Sequence, residues 1–342
     1  MTIASKPRTS PYNGWSLLFV WTTLALISLW QPVQAETPSV ASSRSVNEWL
    51  TRMHEGPRQR AYTGTLVVSA GTSLSASRIW HVCDGVQQME RVDTLTGTPR
   101  TTIRHNSDVI TFSPESKTAW LDRRDSLGVF PELLRTPANA ISELYSAREK
   151  GTARVAGHLA DVVEILPRDT LRFGYRIWAE KKTGLVVKLQ TLNEQGDVLE
   201  QTVFSELQWD ETVRIDQLKR RMRNTKGYEV HRLVLNKTTP EAEGWGLKDK
   251  VHGFQAMSCH TRSDAAVDAS PATLQWVFSD GLASVSLFVE PFDARKHGAE
   301  QTAVTGATHS LTRRIGNHWL TALGEVPPAT LFRFAAALER TR

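Results

Sequence analysis

Val46, Trp49, Leu50 and Met53 recur at i, i+3, i+4 and i+7, which lays one apolar stripe along a helix. Ser45 precedes the stripe with Glu48 three residues on, the spacing of a capping box, and Gly56-Pro57 stops it. At residue 62 the period falls to two. Tyr62, Leu66 and Val68 alternate with Thr63, Thr65 and Ser69, which predicts a strand over 62–70. Short runs follow at 78–83, 87–93, 100–104 and 109–113, divided by Gly71-Thr72-Ser73, Asp84-Gly85 and Thr96-Gly97-Thr98-Pro99. Strands so short and so regularly punctuated describe an antiparallel meander. Residues 131–150 are helical in pattern, with Ile141, Leu144 and Tyr145 on one face and Gly151 at the end. Strand pattern returns at 155–166, 172–179, 185–192 and 198–209.

After residue 211 the pattern breaks. Arg214, Lys219, Arg220, Arg221, Arg223 and Lys226 form a basic run, and 237–244 has no period. Residues 216–244 therefore read as a linker, with a strand at 230–235 left open. Strands resume at 254–262, 274–278, 283–291, 309–315 and 318–324. A final helix follows Pro327-Pro328, with Leu331, Phe334, Ala335 and Leu338 on one face. The expected fold class is α+β: a large curved antiparallel sheet with helices over 36–215, then a smaller α+β domain over 245–342.

Residues 1–35 belong to neither domain. Lys6 and Arg8 precede an uncharged apolar stretch over 15–30, and Val33-Gln34-Ala35 offers small side chains where a signal peptidase reads them. The stretch falls short of the roughly 18 to 20 apolar residues that cross a bilayer. The expectation is a signal peptide cleaved after Ala35 and an exported chain. Losing Lys6 and Arg8 narrows the whole-chain excess of 41 Lys and Arg over 36 Asp and Glu. Near-neutrality and export together argue against a nucleic-acid partner. Cys83 and Cys259 are the only cysteines; in an oxidising compartment they can pair, or each can remain a separate thiol. Two cysteines without clustered histidines do not make a metal site. The chain has no G-x-S-x-G, H-E-x-x-H, P-loop or dinucleotide motif, so neither an enzyme nor a cofactor is read from it.

Two stretches carry a family resemblance. In the middle, Leu166-Pro167-Arg168-Asp169 continues as Arg172-Phe173-Gly174-Tyr175-Arg176-Ile177-Trp178 and then Thr183-Gly184-Leu185. Near the end come residues 278–290, FSDGLASVSLFVE, and 324–330, GEVPPAT. Together they resemble the MucB/RseB family of periplasmic negative regulators of the envelope-stress sigma factor sigma-E. The resemblance implies an N-terminal half-barrel like that of the outer-membrane lipoprotein carriers, with a cavity for lipid or lipopolysaccharide acyl chains. It implies a C-terminal domain that holds the periplasmic segment of a membrane anti-sigma factor of the RseA/MucA kind. Binding would shield that segment from the site-1 protease, and lipid would release it. A periplasmic lipid or lipoprotein carrier is the alternative, and a homo-oligomer is left open.

Under the resemblance, the turn Asp280, Gly281, Leu282, Ala283 and Ser284 is the candidate for gripping the partner; a tight hairpin leading into a core strand is the plainer reading. Leu66, Val68, Trp80, Val82 and Trp178 are the candidates for lining the lipid cavity, against ordinary core. The basic run either meets lipid phosphates or an acidic peptide, or keeps a linker solvated.

Overall fold

The computed structural model describes residues 44–56, 60–83, 87–123, 138–210, 214–264 and 272–341. The expected signal peptide lies outside them, as do residues 131–137 of the expected central helix.

Helix α1 (Val46–Glu55) forms where the stripe places it. The Glu48 N–H donates to Ser45 Oγ, the Ser45 N–H donates to Glu48 Oε2, and Val46, Trp49, Leu50 and Met53 are buried. The meander follows as β1 (Tyr62–Ala70), β2 (Ser73–Cys83), β3 (Gln88–Thr94), β4 (Thr101–His105), β5 (Asp108–Ser113) and β6 (Thr118–Arg123). After α2 (Ala138–Leu144) come β7 (Tyr145–Val155), β8 (His158–Pro167), β9 (Gly174–Glu180), β10 (Val186–Leu192) and β11 (Val198–Trp209). Helix α3 (Ile215–Arg223) and strand β12 (Glu229–Lys237) lead into the C-terminal half. That half contains β13 (Trp245–Leu247), β14 (Gln255–Asp264), β15 (Thr273–Ser279), β16 (Ser284–Pro291), β17 (Gln301–Thr305), β18 (Thr308–Ile315) and β19 (His318–Gly324). Helix α4 (Pro328–Ala337) and β20 (Leu338–Arg340), which pairs with β13, complete the chain.

Pairing joins 18 strands into one open, largely antiparallel sheet. From one edge it runs β7-β8-β9-β10-β11-β1-β2-β3-β4-β5-β6, crosses β12, and continues β14-β15-β16-β19-β18-β17. Strand β12 makes the crossing with its two ends. Glu229–Arg232 lie parallel to Thr118–Leu121 of β6, and 233–237 pair antiparallel with 260–264 of β14.

Three expectations change. The central helix stops at Leu144, because Tyr145 opens β7 and pairs with Pro167 of β8. Gly151, at φ +93°, sits at a β-bulge rather than at a helix end. Residues 216–244 are not free chain: the basic run winds into α3, whose Leu218 is buried against Met89, Ile103, Ile110 and Ala119. Leu338 leaves the final helix for β20. Strands β6 and β17 were not foreseen.

The register decides which face each helix covers. Ile177 of β9 packs with α1, and pairing through Leu189 and Thr202 places Val68 on that same face. Met89, under α3, pairs with Val82, which alternates with His81, the partner of Tyr62, and so lies on the face opposite to Tyr62, Leu66 and Val68. Helices α1 and α2 thus cover one side of the N-terminal sheet and α3 covers the other.

A buried ionic group lies on the face that carries Tyr62. His81 Nδ1 and Arg104 Nε each stand 3.0 Å from the Glu90 carboxylate, and Tyr62 stacks on His81 at 4.7 Å. Burial pushes the Glu90 carboxyl up, but the His81 hydrogen bond and the Arg104 charge outweigh it and hold the group at about 2. A folded-state value below the unfolded one stabilises above the unfolded value, here 4.5, and that stabilisation is lost as pH falls toward 2. Urea unfolding between pH 5 and pH 2 is therefore expected to show a steep loss of stability in the wild type. Glu90→Gln should flatten that slope while costing about 3 kcal/mol at neutral pH, because the buried carboxylate charge that His81 and Arg104 share is lost.

Candidate functional site: the joint between the two halves

Two loops meet where the halves touch. Between β8 and β9, the Leu171 N–H donates to Asp169 Oδ1 at 3.0 Å, a local turn that drives Arg172 inward. Between β15 and β16, Asp280 Oδ1 accepts from the N–H groups of Leu282 (2.8 Å) and Ala283 (2.7 Å). Gly281 supplies φ +104° at the bend, where a side chain would be strained. The same Ser-Asp-Gly chemistry that predicts a turn from sequence therefore fixes this loop.

Asp280 Oδ2 reaches across to the N-terminal half. Tyr145 Oη donates to it at 2.9 Å, and Arg172 Nη1 lies 3.3 Å away. Both charged side chains have 0% exposure. Arg172 Nε sits 3.1 Å from Asp169, and Nη2 donates to the His252 carbonyl at 2.8 Å. The guanidinium also lies over the rings of Phe254 (5.3 Å) and Tyr145 (5.7 Å). Gly253, at φ +78°, has no room for a Cβ, which would stand 2.8 Å from Arg172 Nη1 and from Leu144. Burial raises the Asp280 carboxyl above its ordinary value, opposed by the Leu282 N–H, the Arg172 charge, the Ala283 N–H and Tyr145.

The two loops also exchange leucines. Leu282 packs into the core formed by α1, α2 and β7–β10, and Leu171 packs into the core of the C-terminal half. Thr330 Oγ1 of α4 donates to the Leu171 carbonyl at 2.7 Å, and Phe173 meets His309 of β18 at 5.7 Å. At the tip of the β17–β18 hairpin, the Ala307 N–H donates to Glu200 Oε2 of β11 at 3.3 Å. The joint is charged at its centre and apolar around it.

Asp280, Gly281, Leu282 and Ala283 are thus buried against this chain's own residues, and Ser284 alone of the five is exposed. These side chains are spent on an internal contact because Asp280 must satisfy Arg172. The five cavity candidates do not all converge. Leu66 and Trp178 belong to one apolar cluster, while strand alternation puts Trp80 and Val82 on the face opposite to that of Leu66 and Val68. Trp80 is flanked by Arg91 and Arg78, and Trp178 lies under Lys188. The disulfide that the sequence allows is not formed. Cys83 is half-buried at the end of β2, and Cys259 is packed in the C-terminal core, where burial pushes its thiol up to about 11. Among the described residues no group of three or more His, Cys, Asp or Glu is placed to hold a metal. Arg172 and Tyr145 went unnoticed as functional residues; the signal for Arg172 was the oddity of an arginine beside Leu171 and Phe173.

The two edges of the sheet differ. Strand β7 carries Arg148, Glu149, Lys150 and Arg154 and a bulge, the usual protection against further pairing. Strand β17, QTAVT, has no charge, and all five residues are exposed. Beside it, Val304, Leu311, Pro328, Leu331 and Phe332 line an apolar cavity of about 80 Å³. Val304 is 62% and Phe332 52% exposed.

Comparison with known proteins follows these two halves. Residues 45–222 match the MucB/RseB N-terminal domain, and residues 239–339 match the MucB/RseB C-terminal domain. The sigma factor AlgU regulatory protein MucB of Pseudomonas aeruginosa is 28% identical over 323 residues, covering 92% of this chain and 97% of that protein. The sigma-E factor regulatory protein RseB of Escherichia coli K12 is 24% identical over 242 residues, covering 70% of this chain and 74% of RseB. The crystal structure of MucB in complex with MucA(peri) superposes with a TM-score of 0.65 at 25% identity, over 86% of this chain and 98% of that one. With both of the family's domains matched in order over most of its length, the chain belongs to the MucB/RseB family.

Proposed function

We propose that this protein is a periplasmic negative regulator of the sigma-E envelope-stress response. It holds the periplasmic segment of a membrane-bound anti-sigma factor, shields it from the first proteolytic cut, and releases it when lipid or lipopolysaccharide binds. The observation that carries this reading is the match of the family's two domains to the two halves locked by Arg172 and Asp280. Support also comes from the relatives, which are sigma-factor regulatory proteins, one of them solved with MucA(peri). A lipid carrier would leave the C-terminal half without a task.

The partner's place is the unprotected edge of β17. An extended segment adds its backbone hydrogen bonds there and sets one apolar side chain among Leu311, Leu331 and Phe332, a recurrent mode of peptide recognition. Asp280, Gly281, Leu282 and Ala283 act on the partner at one remove, by fixing the joint. Leu66 and Val68, on the face of α1 and α2, are the better placed of the lipid candidates. The route between the sites is short, since Phe173 touches His309 and Leu171 is bonded to Thr330, one residue from Leu331. A ligand that favours an opened joint must weaken the partner by the same factor by which the partner weakens it.

Titration of the chain with the periplasmic segment of its anti-sigma factor should give a Kd of about micromolar or tighter; no binding at about a hundredfold higher concentration contradicts the regulator reading. Val304→Asp and Phe332→Ala should each weaken binding about tenfold or more, and unchanged affinity would move the docking place off β17. Saturating lipid A should weaken the wild-type complex but leave that of Leu282→Ala nearly unaffected. An equal effect on both would remove the joint from the coupling.

A further inference from the structure

Helix α3 carries a surface that the regulator reading does not use. Its apolar side, Ile215, Leu218 and Met222, is clamped on β3–β6 with Tyr228. Its other side is almost wholly cationic. Residues 214–226 contain six Lys and Arg and one acid, Asp216. Arg214, Arg220, Arg221, Arg223 and Lys226 are exposed, and none makes a side-chain hydrogen bond or ion pair among the described residues. Some exposed arginines elsewhere are paired, as Arg60 is with Asp210 and Arg295 with Asp293, but among the described residues none of these five cations is. Arg232 of β12 adds a further exposed cation on the same side, since it pairs with Leu121, which packs under α3.

We infer that the outer side of α3, with Arg232, is an electrostatic docking surface for an anionic phospholipid bilayer. Charge complementarity fixes the sign of the partner, and shape argues for a surface rather than a single anion. The cations stand out from a convex helix of nine residues, about 13 Å long. Several headgroups fit along that length. A lone phosphate would meet one or two arginines with water on every other side. An acidic peptide would be expected to bring an apolar anchor, and the apolar side of α3 is already occupied by the sheet. Held this way, the protein lies flat on the membrane by the face opposite to α1 and α2. The inference does not depend on the partner reading, because it concerns a different face and a different ligand.

The test is vesicle sedimentation with residues 36–342, which include the compact unit 43–342. Vesicles of phosphatidylglycerol in phosphatidylcholine are compared with pure phosphatidylcholine at low and high salt. Binding is expected only with phosphatidylglycerol and is lost at high salt. Each cation contributes about a fivefold change in partitioning. Arg220→Gln/Arg221→Gln/Arg223→Gln should therefore bind about a hundredfold more weakly, with an unchanged melting temperature. Arg148→Gln/Lys150→Gln/Arg154→Gln, an equal charge change on β7, should bind nearly as the wild type does. Equal binding by the α3 variant, or equal loss in both variants, overturns the inference. Capture of a polyglutamate peptide without any vesicle binding overturns it in favour of an acidic protein partner.

Discussion

The Arg172 guanidinium has no exposed atom, and the groups that balance its charge come together only when the two halves touch. Nη2 alone makes a hydrogen bond, while Nε and Nη1 are held by ion pairs. Asp169 comes from its own loop, Asp280 from the far half, and the His252 carbonyl from the approach to β14. Neither half alone could leave this charge buried, because removing one member of a buried ion pair costs about 3–5 kcal/mol. The exchange of Leu171 and Leu282 adds apolar burial in both directions. A contact that combines buried charge with reciprocal apolar plugs has few intermediate arrangements.

The remaining architecture serves that contact. Strand β12 carries the sheet from one half to the other, so the halves share a backbone ladder as well as a joint. The ladder ends in two unlike strands, β7 charged and bulged, β17 uncharged and exposed. An edge left without protection is a liability unless something pairs with it, and β17 lies on the hairpin whose tip rests against Glu200 of the N-terminal half. The β17–β18 hairpin and the joint are therefore connected through packed side chains.

Much of the fold was legible in the sequence wherever a segment's own pattern decided its fate. The α1 stripe with its capping box and the meander's turns at Gly71 and at 96–99 are local signals, and they hold, while Asp84-Gly85 lies outside the described residues. Tyr145 was misread because it is apolar on the helical face of α2 and equally apolar as the first residue of β7; pairing with β8 settles the matter, and pairing is not local. The basic run looked like linker because its three apolar residues, Ile215, Leu218 and Met222, are few, yet they suffice once β3–β6 offer a surface. The candidate site was half legible. The Ser-Asp-Gly turn was read correctly as a turn, but nothing in its neighbourhood names Arg172, more than a hundred residues earlier, as the group it must satisfy. The cavity candidates were chosen for being apolar, and register, which sequence does not disclose, put them on two faces.

The central claim is that the Arg172–Asp280 contact sets the arrangement of the two halves. Spin labels at the exposed positions Leu95 and Leu323, in a chain lacking Cys83 and Cys259, would report it as a distance distribution. A single narrow distribution is expected in the wild type, and a broad or shifted one when Asp280→Ala is added. The same narrow distribution in both would contradict the claim, since the halves would then be held by something other than this joint.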